Sequence, residues 1–198
     1  EGLDRKMVVS YYCRLRFATN LLPLLKNGAA ASSARVISVL GAGREGKLIL
    51  EDLSLATPGN YSLRNVESHT VTMTSLAFEE LSKQNPEIGW IHAYPGFVVT
   101  GIFRGLPAPL RVLSSVTMPA FKCLSVPIEE CGSGFTWLST DEKFRRGLWL
   151  VNWKGETMDT RAEGVKSWIN TGVEWWGEEK RRRVWAHTED VFRGVKSV

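Results

Sequence analysis

The sequence predicts an α/β fold built on a parallel sheet with helices on both faces, and three observations carry that prediction. Short apolar runs alternate with longer segments of helical period, in the order helix, strand, helix, strand, helix, strand, helix. The runs at 34–40, 88–93 and 148–153 are nearly apolar throughout, as strands covered on both faces are. Turn signals such as Asn27-Gly28, Asn85-Pro86 and Tyr94-Pro95-Gly96 separate the segments.

Each element follows from its own pattern. Residues 7–26 place Tyr11, Leu15, Ala18, Leu22 and Leu25 at three- and four-residue steps, the stripe of an amphipathic helix, and Asn27-Gly28 is its expected stop. Residues 34–40 (ARVISVL) make the first strand. A glycine-rich loop follows at 41–46, then an irregular stretch to 61 with a turn at Pro58-Gly59. Residues 62–84 make a second long helix with Val66, Met73, Leu76, Ala77 and Leu81 on one face, stopped by Asn85-Pro86. Residues 88–93 (IGWIHA) are the second strand. Residues 101–126 are apolar and proline-punctuated, a flexible cap or loop with one or two short helices. Pro127 suits the first position of a helix to about 139. Residues 148–153 (LWLVNW) are the third strand, and 159–194 form a helical, tryptophan-rich tail. Trp149, Trp153, Trp168, Trp175, Trp176 and Trp185 are expected mainly in core and tail packing.

Composition narrows the function. The chain has 198 residues, the size of one domain, and its 43% apolar content is enough for a core. No apolar run reaches 18 residues, so no membrane span is expected. The first residue is Glu, which suggests a start inside a longer polypeptide. The net charge of +4 is not gathered on one face; the dense run Lys180, Arg181, Arg182, Arg183 is flanked by acids and reads as a solvated helix face, not a nucleic-acid site. Cys13, Cys123 and Cys131 match no metal spacing. Their odd number suggests buried thiols in a reducing, cytoplasmic setting.

Residues 41–46 match G-x-G-x-x-G, whose glycines let backbone approach a pyrophosphate at a helix N-terminus. The residues after them contain Asp52, Pro58 and Gly59 and do not read as a helix, and no acid-tipped strand follows. The motif is therefore expected to be a loop at a strand end.

Two stretches, 75–102 and 126–156, resemble the second half of the short-chain dehydrogenase/reductase family. The first holds Pro95, Gly96, Phe97, Val98, Val99 and Thr100, similar to the family's PG-x-V-x-T loop; the second resembles its last helix and strand. Helix 7–26 is similar to the family's dimer-interface helix. The style is that of divergent fungal members. The resemblance implies a Rossmann-like three-layer sandwich lacking its N-terminal cofactor-binding strands, with 1–158 as the domain and 159–198 as its helical extension. It implies NAD or NADP as cofactor, held in part by Pro95, Gly96, Val98 and Thr100. It also implies a small-molecule substrate near Tyr94, Phe97 and Phe103, and a homodimer through helices 7–26 and 62–84.

Carried over by spacing, the family's helix asparagine falls on Ser10 and its serine on Leu40 or Gly41. Its Tyr-x-x-x-Lys pair falls on Ser62 and Val66, or on Tyr61 and Asn65 one residue earlier. The candidate acid/base residues are Tyr61 and His69, since histidine can shuttle protons near neutrality. Three readings stay open: an NAD(P)-linked oxidoreductase acting on a secondary-metabolite-type ketone or alcohol, a redox-silent cyclase, isomerase or dehydratase on the same fold, and a non-catalytic scaffold.

Overall fold

The computed structural model describes residues 2–99, 125–158 and 176–194. The chain opens with helix α1 (Arg5–Met7), capped by the Asp4 carboxylate, which accepts from the amides of Lys6 and Met7. A π-helical turn (Val8–Tyr12) leads into α2 (Cys13–Asn20) and α3 (Leu22–Ala31). The helical path thus runs past Asn27-Gly28, the expected stop. Three alanines follow Gly28 and carry the helix on, and Ser32 N–H closes it on Gly28 O.

Strand β1 (Arg35–Val39), helix α4 (Leu63–Gln84) and strand β2 (Gly89–Ala93) come next, then α5 (Ile128–Thr140), a 3₁₀ turn (Glu142–Phe144), β3 (Gly147–Val151) and β4 (Thr157–Met158). Helix α6 (Glu178–Gly194) is the described part of the tail. The sheet order is β1-β2-β3-β4. The first three strands are parallel and in register, Arg35 opposite Gly89 and Gly89 opposite Gly147. The fold class is thus the expected α/β sheet with one correction: β4 runs antiparallel to β3, so the sheet is mixed. Two residues, Thr157 and Met158, are too short to show a strand period. Gly89 sits where a Cβ would lie 2.1 Å from the Phe144 carbonyl oxygen, so only glycine lets this strand pass the 3₁₀ turn.

Helix α4 is the centre of the packing. Nearly every residue from His69 to Leu81 is buried, between the sheet, the N-terminal helices and α6. Met73 and Phe78 of the helix itself, and Trp90 and Tyr11 in the same core, are fully buried. Helix α6 lies across α4 and the π-turn. Val184 and Thr188 are fully buried there; Tyr11 O–H donates to Thr188 Oγ1 at 2.6 Å, since the Thr188 hydroxyl donates to Val184 O. Arg181 pairs with Glu80 at 2.8 Å and Glu79 at 3.2 Å. This corrects the reading of residues 180–183 as a solvated face: Arg181 is buried, whereas Arg182 stays exposed. The cysteines also differ from expectation, Cys13 being exposed and Cys131 partly so, with Cys123 outside the described residues. Trp153 is largely exposed rather than packed, and Trp168 and Trp175 lie outside the described residues.

The outer edge of β1 has no strand beside it among the described residues. In a parallel ladder alternate residues bond the same neighbour. Ala34 and Leu40 bond β2, through Gly89 N–H at 3.0 Å and Ala93 O at 2.8 Å, so Arg35, Ile37 and Val39 turn their backbone groups outward. Arg14 Nη1 donates to Val39 O at 2.7 Å on that side. A groove of about 510 Å³ runs along the edge, walled by Phe17, Leu21, Leu25 and Phe78. No described helix is long and apolar enough to cross a membrane.

Candidate functional site

Parallel α/β sheets place their sites beyond the C-terminal ends of the strands. Here β1 ends into Leu40 and β2 into Tyr94, and a cavity of about 350 Å³ opens between them. The N-terminal helices contribute Lys6 and Ser10, the loop after β1 contributes Leu40, Gly41 and Arg44, and α4 contributes Leu63, Val66, Glu67, Thr70 and Val71. Ser62 caps α4 by accepting from Asn65 N–H at 3.1 Å, which fixes where these α4 side chains begin.

Arg44 is the polar hinge of the cavity. Its guanidinium meets Glu67 at 2.7 Å and lies 5.5 Å from the Tyr94 ring centre, a cation–π contact. One residue on, the loop turns inward. Glu45, Ser75 and His92 are each fully buried and joined in a line. Gly41 N–H donates to His92 Nε2 at 3.2 Å, so the neutral ring carries its proton on Nδ1. Nδ1–H then donates to Ser75 Oγ at 2.7 Å, and Ser75 O–H donates to Glu45 Oε1 at 2.8 Å. Gly46 is tied to α4 as well, its N–H donating to Thr72 Oγ1 at 2.9 Å. A Cβ at Gly41 would lie 2.8 Å from Val71 Cγ2. The G-x-G-x-x-G stretch is thus a packed loop at a strand end, and its glycines serve close approach to α4.

Tyr61 and His69 do not line the cavity. Tyr61 is exposed just before α4; partial desolvation and the Asp4 carboxylate, its hydrogen-bond partner, raise its pKa, the wrong direction for a base near neutrality. His69 is fully buried and faces the loop before α4: Nδ1–H donates to Leu53 O at 3.2 Å, and Nε2 accepts from Ile49 N–H at 3.0 Å. Burial lowers its pKa, keeping it neutral.

Tyr94 borders the cavity and also a small cleft formed with Pro95, Trp137 and Trp153. Gly96 takes φ +76°, and a Cβ there would lie 2.7 Å from Val126 Cγ2. Phe97 is exposed, its carbonyl accepts from Val126 N–H at 2.8 Å, and Val98 bridges Val126. Thr100 and Phe103 lie outside the described residues.

Of the positions obtained by spacing the structure brings four together, and Ser62, Tyr61 and Asn65 are not among them. Ser10, Leu40, Gly41 and Val66 all line the one cavity. The sequence reading missed Lys6, Arg44, Glu67 and the buried Glu45. A signal existed: Thr72 and Ser75 interrupt the buried stripe of α4, and buried hydroxyls demand partners.

No family model matches the chain. Among curated proteins it is 32% identical to an oxidoreductase of Emericella nidulans, over 97% of this chain and 62% of that protein. It is 34% identical to a short-chain dehydrogenase/reductase of Stachybotrys chartarum, over 74% of this chain and 42% of the other. Over 52% of its length it is 43% identical to an NmrA-like family domain-containing oxidoreductase of an Aspergillus species, covering 31% of that protein. The chain therefore spans less than two thirds of these relatives. With the α/β sheet, these similarities support a divergent, fungal-type oxidoreductase like those of the short-chain dehydrogenase/reductase family.

Proposed function

We propose that the protein is an NAD(P)-linked oxidoreductase acting on a small-molecule ketone or alcohol of the secondary-metabolite kind, with the cavity beyond β1 and β2 as the substrate side of its site. The observation that carries this reading is the convergence of Ser10, Leu40, Gly41 and Val66 on that cavity. The names of the relatives support the reaction class. Leu40, Leu63, Val66 and Val71 would hold an apolar substrate body, and Arg44, Lys6 and Tyr94 would orient an oxygen.

The described residues fit the cofactor only in part. By family resemblance the backbone of Pro95, Gly96 and Val98 would hold the nicotinamide carboxamide. The 41–46 loop offers no cradle for the pyrophosphate, because Glu45 folds into it and is buried there. The reading therefore has the phosphates held by residues other than those described. The cofactor, when bound, would supply the hydride. This chain's residues would bind and orient the substrate and keep water from it.

A redox-silent reading, as a cyclase, isomerase or dehydratase, is favoured by one observation. The positions that correspond by spacing to the family's tyrosine and lysine are Ser62 and Val66, or Tyr61 and Asn65, so its Tyr-x-x-x-Lys pair is not formed at the start of α4. In that case Glu67 and Lys6, not Tyr61 and His69, are placed to move a proton.

Calorimetry and saturation-transfer NMR on the 198-residue chain separate these readings. A panel of aromatic ketones should bind, and Leu40→Trp, which fills the cavity, should abolish that binding. Equal binding by the variant would remove the cavity from the site. NADH and NADPH should bind weakly or not at all to this chain; micromolar affinity would restore the 41–46 loop as a phosphate cradle. Absence of binding by any ketone or nucleotide would favour the scaffold reading.

A further inference from the structure

The 41–46 loop is held by a buried carboxylic acid that the reading above does not use. We propose that Glu45, Ser75 and His92 form a proton-linked latch that fixes this loop, and with it the Arg44 wall of the cavity. The geometry points one way along its length. Gly41 N–H donates to His92, His92 to Ser75, and Ser75 to Glu45, so every donor in the line is spent toward the carboxyl group. All three side chains are fully buried, so neither water nor substrate reaches them. The line ties three elements together: the loop after β1, the middle of α4, and β2. Arg44 is the next residue to Glu45, and Tyr94 lies two residues beyond His92. A change at the latch therefore reaches both partners of the cation–π contact.

The latch titrates through its carboxyl end. Burial is the largest influence on Glu45 and raises its pKa to about 7, against hydrogen bonds from Ser75 and from the backbone of Gly43 and Glu45 that favour the anion. Burial likewise lowers His92 to about 3, aided by the charge of Arg14, so the ring stays neutral throughout. The titratable and charged groups on the surrounding elements include His92, 3.9 Å away on β2, Arg14 and Arg16 on α2, Arg44 on the loop itself, Lys47 just after it, and on α4 Arg64, His69, Glu80 and Lys83 together with Glu67 and Glu79. The last two are already paired, with Arg44 and with Arg181 and Lys83. Glu45 thus changes charge near neutrality, with burial as the dominant influence. Its folded-state pKa lies above the ordinary 4.5, so its contribution is fully present below about pH 4.5 and is lost as pH rises through about 7. The loop is tightest in mild acid and loosens on the alkaline side.

The inference rests on the reading above only in calling the cavity a substrate site; the latch can be tested without any substrate. In carbon-13 NMR of the full chain, one glutamate carboxyl should titrate near pH 7 and vanish from the spectrum of Glu45→Gln. Hydrogen exchange at the Gly41, Gly43 and Arg44 amides, corrected for the intrinsic rate, should accelerate roughly tenfold or more from about pH 6 to 8. In Glu45→Gln, a neutral side chain of the same shape, that extra acceleration should disappear. All glutamates titrating below about pH 5.5 in the wild-type chain, or identical exchange profiles for the two proteins, would overturn the latch. The wild-type titration alone decides the matter if the variant does not fold.

Discussion

The two flanks of the sheet differ sharply. On the α4 side the described residues cover the helix and meet its polar side chains. The helix is buried against β2, β3, the N-terminal helices and α6, and its polar side chains are answered by Gly46, Ile49, Leu53, Arg181 and His92. On the β1 side an apolar groove stands open, with Phe17 69% exposed and the outward backbone of Arg35 and Ile37 facing it. The contrast separates what this stretch of polypeptide stabilises by itself from what it leaves for something else to cover.

Substitutions should fall into two classes along that line. Val184→Asp buries a charge between α6 and α4 and should cost roughly 4 kcal/mol, enough to detach α6 or unfold the chain; thermal unfolding close to wild type would show that α6 is not part of the cooperative unit. His69→Ala removes both ties to the 49–53 loop and should cost about 2–3 kcal/mol in denaturant unfolding. Loss of activity with stability unchanged would instead return His69 to the acid/base role read from sequence.

Asp52→Asn tests the same loop more gently. Burial pushes the Asp52 carboxyl up, but donors from Asn60, Thr57 and Ala56 outweigh it and hold the pKa at about 2. Its contribution is therefore present above about pH 3.8 and lost as pH falls through about 2. The variant should lose about 1–2 kcal/mol at neutral pH and converge on wild type in strong acid. Parallel profiles down to that range would contradict the depressed pKa.

The open flank should respond least. Phe17→Ser and Val39→Lys should change stability by no more than about 0.5 kcal/mol. Sedimentation velocity should nonetheless show less self-association. The homodimer expected through helices 7–26 and 62–84 would have to use the apolar surface that α6 leaves uncovered, at Val9, Phe17 and Leu24. A marked destabilisation by Phe17→Ser would mean that the groove is closed in solution by the chain itself.

The strands and α4 were legible in sequence because their signals are local: β-branched runs, helical steps, Asn85-Pro86. Helix α3 ran on because three alanines outweighed one glycine, and β4 escaped because two residues have no period. Little of the cavity was legible in sequence, and Tyr61, His69 and Ser62 lie outside its lining. Spacing put Ser10, Leu40, Gly41 and Val66 where the cavity is, yet nothing local could show that Arg44 would meet Glu67 and Tyr94. His69 looked like a shuttle because the backbone groups that occupy its ring, at Ile49 and Leu53, lie 20 and 16 residues away. Glu45 and Ser75 are 30 residues apart, and their pairing belongs to the fold, not to any motif.

The bond between Tyr11 and Thr188 joins residues 177 positions apart. A ribosome adds about 5–20 residues each second, so on the order of ten seconds or more pass between the emergence of the tyrosine and that of its partner. Through that interval the nascent chain displays Tyr11, Tyr12 and the outer side of α4 with nothing laid across them. A protease that clipped the finished protein ahead of α6 would recreate the same unfinished surface. Helix α6 is thus the element whose arrival covers Tyr11 and Tyr12 and lets that stretch leave the care of chaperones.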